Sequence, residues 1–214
     1  MNDRLQTLSS QHARRQQIAQ HLLESAQVKQ RLLEECSDNI LAASDLIADA
    51  FRAGHKLLLC GNGGSAADCQ HLAAEFTSRL TSDFVRPALP ALALTTDTSF
   101  LTAYTNDFDF AGVFGRQIQA LGQPGDVLIA ISTGGNSPNV LQAVETAHQH
   151  GLKTIALTGN CGRLREISDL AISVPSTKTQ YIQEAHLAVE HLVCHLVERA
   201  LFGEQEAAPR RQAA

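Results

Sequence analysis

The sequence lacks long runs of apolar residues. Its apolar stretches are short, such as LAISV at residues 170–174, and charged residues appear from the third position onward. A helix that spans a membrane needs about 20 mainly apolar residues, and a secretory signal needs an apolar segment near the start of the chain. We therefore expect a cytoplasmic protein with no membrane partner.

A general excess of basic charge is also missing. The formal net charge is −5, from 17 basic and 22 acidic residues, and the basic residues are scattered along the chain. No broad positive field is available to attract the phosphate backbone of a nucleic acid. Nucleic acid is therefore not the expected ligand.

The cysteines lack the pattern of a disulfide framework. There are five of them, an odd number, and no two form a CxxC pair. This usage is typical of free thiols in a reducing compartment. We expect small buried or reactive thiols rather than bridges.

Linkers rich in proline, glycine or serine are absent from the interior of the chain. Hydrophobic residues make up 44% of the sequence and charged residues 18%. That apolar content is enough to build a core and excludes intrinsic disorder. A single domain is the expected organisation.

Helix-breaking residues are missing from the first quarter of the chain. Residues 1–53 contain no glycine and no proline, and apolar residues recur there at helical spacing from Ile18 to Ile47. We predict two long helices in this segment.

From residue 54 to residue 202 the pattern changes to short apolar runs that alternate with helical patterns. Such alternation is typical of right-handed βαβ units and a parallel sheet buried on both faces. We predict an α/β fold with a five-stranded parallel sheet in flavodoxin-like order. The predicted strands are 56–60, 91–95, 126–132, 154–158 and 170–174, and the helices 65–80, 111–121, 138–150, 162–168 and 179–202.

The last predicted helix is apolar on more than one face. Its apolar positions run from Ile182 to Leu201, and the width of the face indicates packing against a partner as well as against its own sheet. Residues 203–214 show no apolar periodicity, so we expect a loose tail.

Two glycine-rich loops follow predicted strands. The first reads CGNGGSAAD, with Ser65 as the expected N-cap of a helix, and the second reads ISTGGNSPN, with Ser137 as the expected N-cap and Pro138 at the first helical position. Free amide groups at a helix start favour an anion. If the two strands are neighbours, both loops face the crevice where such sheets bind ligands.

The chemistry of these loops favours a small phosphate ester. No lysine follows the glycines of either loop, so neither is a Walker motif for a nucleoside triphosphate. Gly61, Gly63 and Ala66 also satisfy the G-x-G-x-x-A pattern of dinucleotide-binding proteins, which leaves a weak alternative.

Two predicted helices carry candidate site residues. His71 and Glu75 are four positions apart, so both project from one helix face, where they bind a metal or share a proton. On the last helix, Gln183 and His191 are able to approach one site. Spacing alone does not favour them over three other candidate residues on that helix, which are His186, Glu190 and His195.

These residues resemble the sugar isomerase (SIS) domain family, and within it the phosphoheptose isomerases. The matching segments are CGNGGSAADCQHLAAEFTSRL, TNDFDF, GDVLIAISTGGNSPNV, TIALTG and YIQEAHLAVEHLV, within about residues 45–200. The most specific feature is the H-x-x-x-E pair followed much later by Q-x(7)-H. One departure is Gly134, where the family often carries serine, so that a hydroxyl contact becomes a backbone contact.

The resemblance implies an aldose-ketose isomerase that converts sedoheptulose 7-phosphate to D-glycero-D-manno-heptose 7-phosphate, for the ADP-heptose of lipopolysaccharide. It implies one zinc ion per subunit and a homotetramer, with the N-terminal helices packed at its centre and active sites lined by more than one subunit. The zinc ligands that it implies are His71, Glu75, Gln183 and His191.

The resemblance also implies roles at the substrate. Glu75 is the implied base at carbon, and His191 is the implied acid for the sugar oxygens. The implied substrate contacts are Asn62, Gly63, Gly64, Ser65, Glu75, Asn106, Asp107, Ser132, Thr133, Gly134, Ser137 and Gln183.

Proteins with other functions carry loops of the same kind. A non-catalytic SIS tetramer that binds a replication initiator protein is the main alternative, followed by a sugar-phosphate sensing module or hexosamine-type isomerase and by a dinucleotide-dependent dehydrogenase. The set of His71, Glu75, Gln183 and His191 favours the enzyme, because a regulator needs none of these residues.

Overall fold

The structure is a computed structural model that describes residues 2–203, with side chains from residue 11 onward. It contains a five-stranded, wholly parallel sheet with the strand order β2-β1-β3-β4-β5. The strands are β1 (Leu57–Gly61), β2 (Ala91–Ala93), β3 (Val127–Ser132), β4 (Lys153–Gly159) and β5 (Leu170–Val174). The helices are α1 (Asn2–Arg52), α2 (Gly64–Thr77), α3 (Thr98–Asp107), α4 (Val113–Leu121), α5 (Pro138–Gln149), α6 (Leu164–Ile167) and α7 (Thr179–Phe202).

The predicted α/β fold and its parallel sheet are confirmed. Strands β1 and β3 are buried along their whole length, as their unbroken apolar sequences indicate for strands covered on both faces. The two strands are neighbours, and their pairing ends with Gly61 beside Ile131. The loops that follow them therefore leave the same edge of the sheet side by side.

Helices cover the sheet on both faces. Leu57 and Leu59 of β1 point into a core built with α1, α2 and α7, whereas Leu58 and Cys60 point into a second core built with α4 and α5. Alternate residues of a strand face opposite sides of a sheet, so a single apolar run supplies both cores.

The N-terminal segment forms one helix, and the prediction of two helices is wrong. Helix α1 runs unbroken for 51 residues, because no glycine or proline interrupts its backbone hydrogen bonds. One stripe of α1 is buried against α7 and β5. Its members are Val28, Leu32, Cys36, Ile40, Ala43 and Ile47.

Helix α3 was not predicted. None of its side chains is fully buried, but Phe100, Leu101 and Tyr104 pack, partly buried, against the second core. Asp97 caps the start of the helix by accepting a hydrogen bond from the backbone N–H of Phe100 at 2.9 Å. The rings of Phe100, Tyr104 and Phe108 stack along it. The edge strand β2 is two residues shorter than predicted, and the other predicted elements lie within three residues of the observed bounds.

Among the described residues, no helix combines the length and the apolar character that a membrane span needs. Helix α7 ends at Phe202, as predicted. The predicted loose tail, apart from Gly203, lies outside the described residues.

A buried ion pair joins the end of α2 to α7. The Nε atom of Arg86 donates to Glu198 Oε1 at 2.7 Å, and the two side chains are 0% and 2% exposed. The guanidinium also donates to the backbone carbonyls of Phe76 at 2.6 Å and Glu75 at 2.7 Å. These carbonyls lie in the last turn of α2, where no helical N–H reaches them. Arg86 thereby fixes the end of the helix that carries Glu75.

We expect Arg86→Ala to lower the free energy of unfolding by about 3–5 kcal/mol, because the carboxylate of Glu198 stays buried without its counter-charge. Urea denaturation measures the loss. Arg163→Ala is the matched control, since Arg163 pairs with Glu145 at the surface, where the side chains are 59% and 46% exposed and the pair is worth about 0–1 kcal/mol. Equal losses in the two variants contradict this account of the buried pair.

His186 gives the protein a second stability prediction. It is fully buried on α7, and burial lowers its pKa from 6.5 to about 4. The unfolded chain therefore binds a proton at a higher pH than the folded chain, and stability falls as the pH drops below 6.5. From His186 alone, we expect the free energy of unfolding to fall by about 2 kcal/mol between pH 7 and pH 5.

Urea denaturation of chelated protein at pH 7 and pH 5 tests this expectation. His186→Leu should remove that part of the pH dependence, whereas His195→Leu should keep it, because His195 lies on the exposed face of α7. A pH dependence unchanged in His186→Leu disproves the role of the buried ring.

Candidate active site

The first loop passes directly from β1 into α2. Gly63 has a φ of +57° and is the N-cap residue, and its carbonyl accepts from the backbone N–H groups of Ala66 and Ala67. Ser65 was predicted to be the N-cap, and this is wrong: it lies in the first helical turn and is buried. The left-handed conformation of Gly63 turns the chain early enough for the helix to begin at Gly64.

The second loop has the predicted layout. Ser137 is the N-cap residue of α5 and Pro138 is its first helical residue. The hydroxyl of Ser137 lies 3.1 Å from that of Ser132 and makes no capping hydrogen bond. Both hydroxyls therefore lie within the loop near the end of β3, and neither caps α5.

Gly135 shows why the second loop is glycine-rich. Its φ is +65°, and a Cβ atom there would lie 2.6 Å from the carbonyl oxygen of Cys161. The loop after β4 packs against it, and its Leu164 N–H donates to the carbonyl of Gly135 at 2.9 Å. Beside it, Thr133 is half-buried and Gly134 is exposed, so the outer side of this loop is open to a ligand.

The structure brings together His71 and Glu75 of α2 with His191 of α7. The Nε2 atoms of the two histidines are 2.8 Å apart, and His71 Nε2 is 3.6 Å from Glu75 Oε1. One ligand atom from each residue lies within 4.8 Å of the others. Two imidazoles and a carboxylate are a donor set that suits Zn²⁺, so these three residues fit a single ion.

Gln183 lies next to the first loop. Its side-chain amide packs against Gly64, at a distance that leaves no space for a Cβ atom on residue 64. Gln183 thereby contacts the start of α2, two turns before the α7 residue that reaches His71.

Asn106 and Asp107 lie at the exposed end of α3. The Asn106 amide donates to Asp107 Oδ1 at 3.0 Å, and no described hydrogen bond joins either residue to the two loops. The N-cap residue of the next helix, α4, is Gly112, and no side chain caps that helix. Asp109 accepts a hydrogen bond from the backbone N–H of Gly112 at 2.9 Å.

The three other candidate residues on α7 differ in their exposure to solvent. His186 and Glu190 are fully buried, and His195 is exposed. Burial, followed by the charge of Asp68, raises the pKa of Glu190 to about 8. The Glu190 carboxyl group is therefore protonated at neutral pH and is a poor competitor of His191 for a metal ion.

Arg79, four positions after Glu75, is expected from the sequence to be a surface arginine, with pairing to Glu75 or contact with a substrate phosphate as the alternatives. Arg86 was not predicted. In the structure Arg79 is exposed and its closest described acceptor is the carbonyl of Ser82, at 3.5 Å. Arg86 is the arginine that contacts Glu75, through the backbone carbonyl. The sequence gives no signal for this, because Arg86 is eleven positions from Glu75 in an irregular segment.

Known proteins share this architecture. The chain matches the SIS domain family over residues 20–159. It is 53% identical to the phosphoheptose isomerase of Chlorobaculum tepidum over 186 residues, which are 86% of this chain and 89% of that protein. It is 49% identical to the phosphoheptose isomerase of Maridesulfovibrio salexigens over 188 residues, which are 87% and 91% of the two chains.

A solved structure agrees. The phosphoheptose isomerase of Neisseria gonorrhoeae superposes with a TM-score of 0.80 and 42% sequence identity, covering 86% of this chain and 97% of that one. Identity at this level over most of both chains shows common descent. The chain belongs to the phosphoheptose isomerase family of SIS domain proteins.

Proposed function

We propose that the protein is an aldose-ketose isomerase that converts sedoheptulose 7-phosphate to D-glycero-D-manno-heptose 7-phosphate, a precursor of ADP-heptose. The observation that carries this proposal is the meeting of His71, Glu75 and His191 within 4.8 Å of one another. These residues lie on the helix that starts from the first glycine-rich loop and on α7.

The reaction moves a proton between two adjacent carbons. A base removes the proton from C1 of the ketose and returns one to C2, while the C1 hydroxyl loses a proton and the C2 oxygen gains one. We assign the carbon proton to Glu75, whose side chain is 18% exposed and so remains open to a substrate. His191 is assigned the oxygen protons, and such acid-base groups contribute about 10²–10⁴-fold each.

The phosphate group is assigned to the two loops. In the first, Asn62, Gly63, Gly64 and Ser65 surround the start of α2, where free N–H groups favour an anion. In the second, the hydroxyl-bearing turn begins at Ser132, and the other proposed contacts are Thr133, Gly134 and Ser137. Asn106 and Asp107 are proposed contacts to the sugar hydroxyls, from the exposed end of α3.

Zinc is the proposed cofactor, held by His71, Glu75 and His191 with Gln183 as the fourth ligand. When bound, the ion polarises the sugar carbonyl. Glu75 then has two competing roles, because coordination lowers the basicity of a carboxylate. The donor set of two imidazoles, a carboxylate and an amide supports an ion of this class and accepts several divalent metals.

We also propose a homotetramer built around α1. Five large apolar side chains of α1 are 50–70% exposed: Ile18, Leu22, Leu23, Leu33 and Leu41. Large exposed apolar patches mark interaction surfaces, and a second copy of the chain offers the matching surface. The five cysteines are all free thiols, which suits a reducing cytoplasm.

We expect the purified protein to isomerise sedoheptulose 7-phosphate, to lose most of this activity after chelation and to regain it with zinc. Glu75→Gln should reduce kcat by at least about 10³-fold, because the amide cannot accept the carbon proton. The measurement is the rate of conversion of sedoheptulose 7-phosphate, with circular dichroism to verify folding.

Each outcome of that experiment is informative. An active Glu75→Gln variant rules out Glu75 as the base. A wild-type rate that does not respond to chelation and zinc rules out the cofactor. A folded wild-type protein with no turnover in any state overturns the isomerase and favours the non-catalytic regulator.

We expect light scattering to give a mass of about four times the 23.0 kDa of the chain. The double change Leu22→Asp and Leu33→Asp should yield smaller species, because it places charges in the proposed interface. Val85→Asp is the control: Val85 is 79% exposed but lies outside α1, and its substitution should leave the mass unchanged. A monomeric wild-type protein contradicts the tetramer.

A further inference from the structure

The two glycine-rich loops are joined by a reciprocal pair of amide hydrogen bonds. Asn62 Nδ2 donates to Asn139 Oδ1, and Asn139 Nδ2 donates to Asn62 Oδ1, both at 2.8 Å. Asn62 is the residue directly after β1, and Asn139 is the second residue of α5. The bonds therefore connect parts of the chain that are 77 positions apart.

The Asn139 side chain has no alternative partner in water. The residue is 2% exposed, and Asn62 is its described side-chain partner. A buried amide without a partner is unfavourable, so each asparagine stabilises the observed position of the other. We refer to this pair, Asn62 and Asn139, as the amide clamp.

The amide clamp lies where the sheet no longer holds the loops. The pairing of β1 with β3 ends at Gly61 and Ile131. Beyond that point, the two bonds of the clamp are the hydrogen bonds that link residues 62–65 to residues 132–139 within the described part of the chain. The direct hydrogen bonding between the two loops therefore depends on this pair of side chains.

We infer that Asn139 and the side chain of Asn62 are positioning residues that hold the two phosphate loops at the separation that one phosphate group needs. This inference rests on the proposed function, and it assigns a role to Asn139, for which the family resemblance implied none. It also changes the role of the Asn62 side chain from a substrate contact to a support, because its carbonyl oxygen and one of its N–H groups bind Asn139.

The position of the clamp predicts which kinetic constant changes. A phosphate ion binds more tightly to hydrogen-bond donors that are already in place than to donors on loops that must be ordered on binding. The proton transfers take place at Glu75 and His191, on other elements, so loosening the loops affects binding more than chemistry. A loss of ground-state binding raises KM and leaves kcat nearly unchanged.

The test is a double-mutant cycle with Asn62→Ala, Asn139→Ala and the two changes combined. For each protein, kcat and KM for sedoheptulose 7-phosphate are measured, and the affinity for inorganic phosphate is measured by calorimetry. We expect each single change to raise KM and to weaken phosphate binding by about 5- to 20-fold, with kcat within about 3-fold. The combined variant should match the single ones, because either change alone removes both bonds.

Asn39→Ala is the matched control. The Asn39 amide donates to the carbonyl of Ala171 at 2.6 Å, far along the chain from both loops. Loss of this hydrogen bond should leave KM and the phosphate affinity unchanged. If Asn139→Ala does not fold, Asn139→Leu takes its place in the cycle, because leucine fills the buried position of Asn139 without making either hydrogen bond to Asn62.

Two results overturn the clamp. One is an Asn139→Ala variant with unchanged KM and phosphate affinity. The other is a loss in Asn62→Ala that far exceeds the loss in Asn139→Ala and adds to it, as a direct substrate contact requires. A wild-type protein that binds phosphate but does not turn over substrate overturns the proposed isomerase. In that case the phosphate affinities of the variants, measured by calorimetry, still test whether Asn62 and Asn139 position the loops.

Discussion

The parallel pairing of β1 with β3 is the constraint on which the site depends. It ends with Gly61 beside Ile131, so two loops that are about 70 positions apart in sequence leave the sheet as neighbours. Open α/β sheets bind ligands at the carboxyl ends of adjacent strands whose connections diverge. The pairing therefore places two helix starts side by side, and the amide clamp joins the loops that lead into them.

Helix α7 completes the site from the other end of the chain. It crosses the core beside α1 and α2 and brings His191 to within 2.8 Å of His71, across 120 positions. The Arg86 and Glu198 pair anchors the same two helices at their far ends. The geometry of the His71, Glu75 and His191 cluster therefore depends on how α2 and α7 pack, and Arg86 contacts the backbone carbonyl of Glu75.

Much of the fold was predictable, because burial on both faces forces continuous apolar strands. Helices with an apolar stripe were also found. Helix α3 was missed because it is only 10 residues long and its apolar side chains are only partly buried. Helix α1 was split in two because spacing alone shows no difference between one long helix and two. The N-cap error at Ser65 came from Gly63, whose left-handed φ starts the helix early.

The sequence by itself determined the fold class, the two loops and the i,i+4 pair of His71 and Glu75, because each depends on residues close together in the chain. Only the tertiary structure decided which α7 residue joins that pair and that Glu190 and His186 turn inward. It also decided that Asn139 bonds to Asn62 and that Arg86 bonds to the end of α2. These choices depend on the rotation of α7 against the sheet and on contacts over long separations. Local patterns do not encode such contacts, because each is fixed by the packing of the whole core.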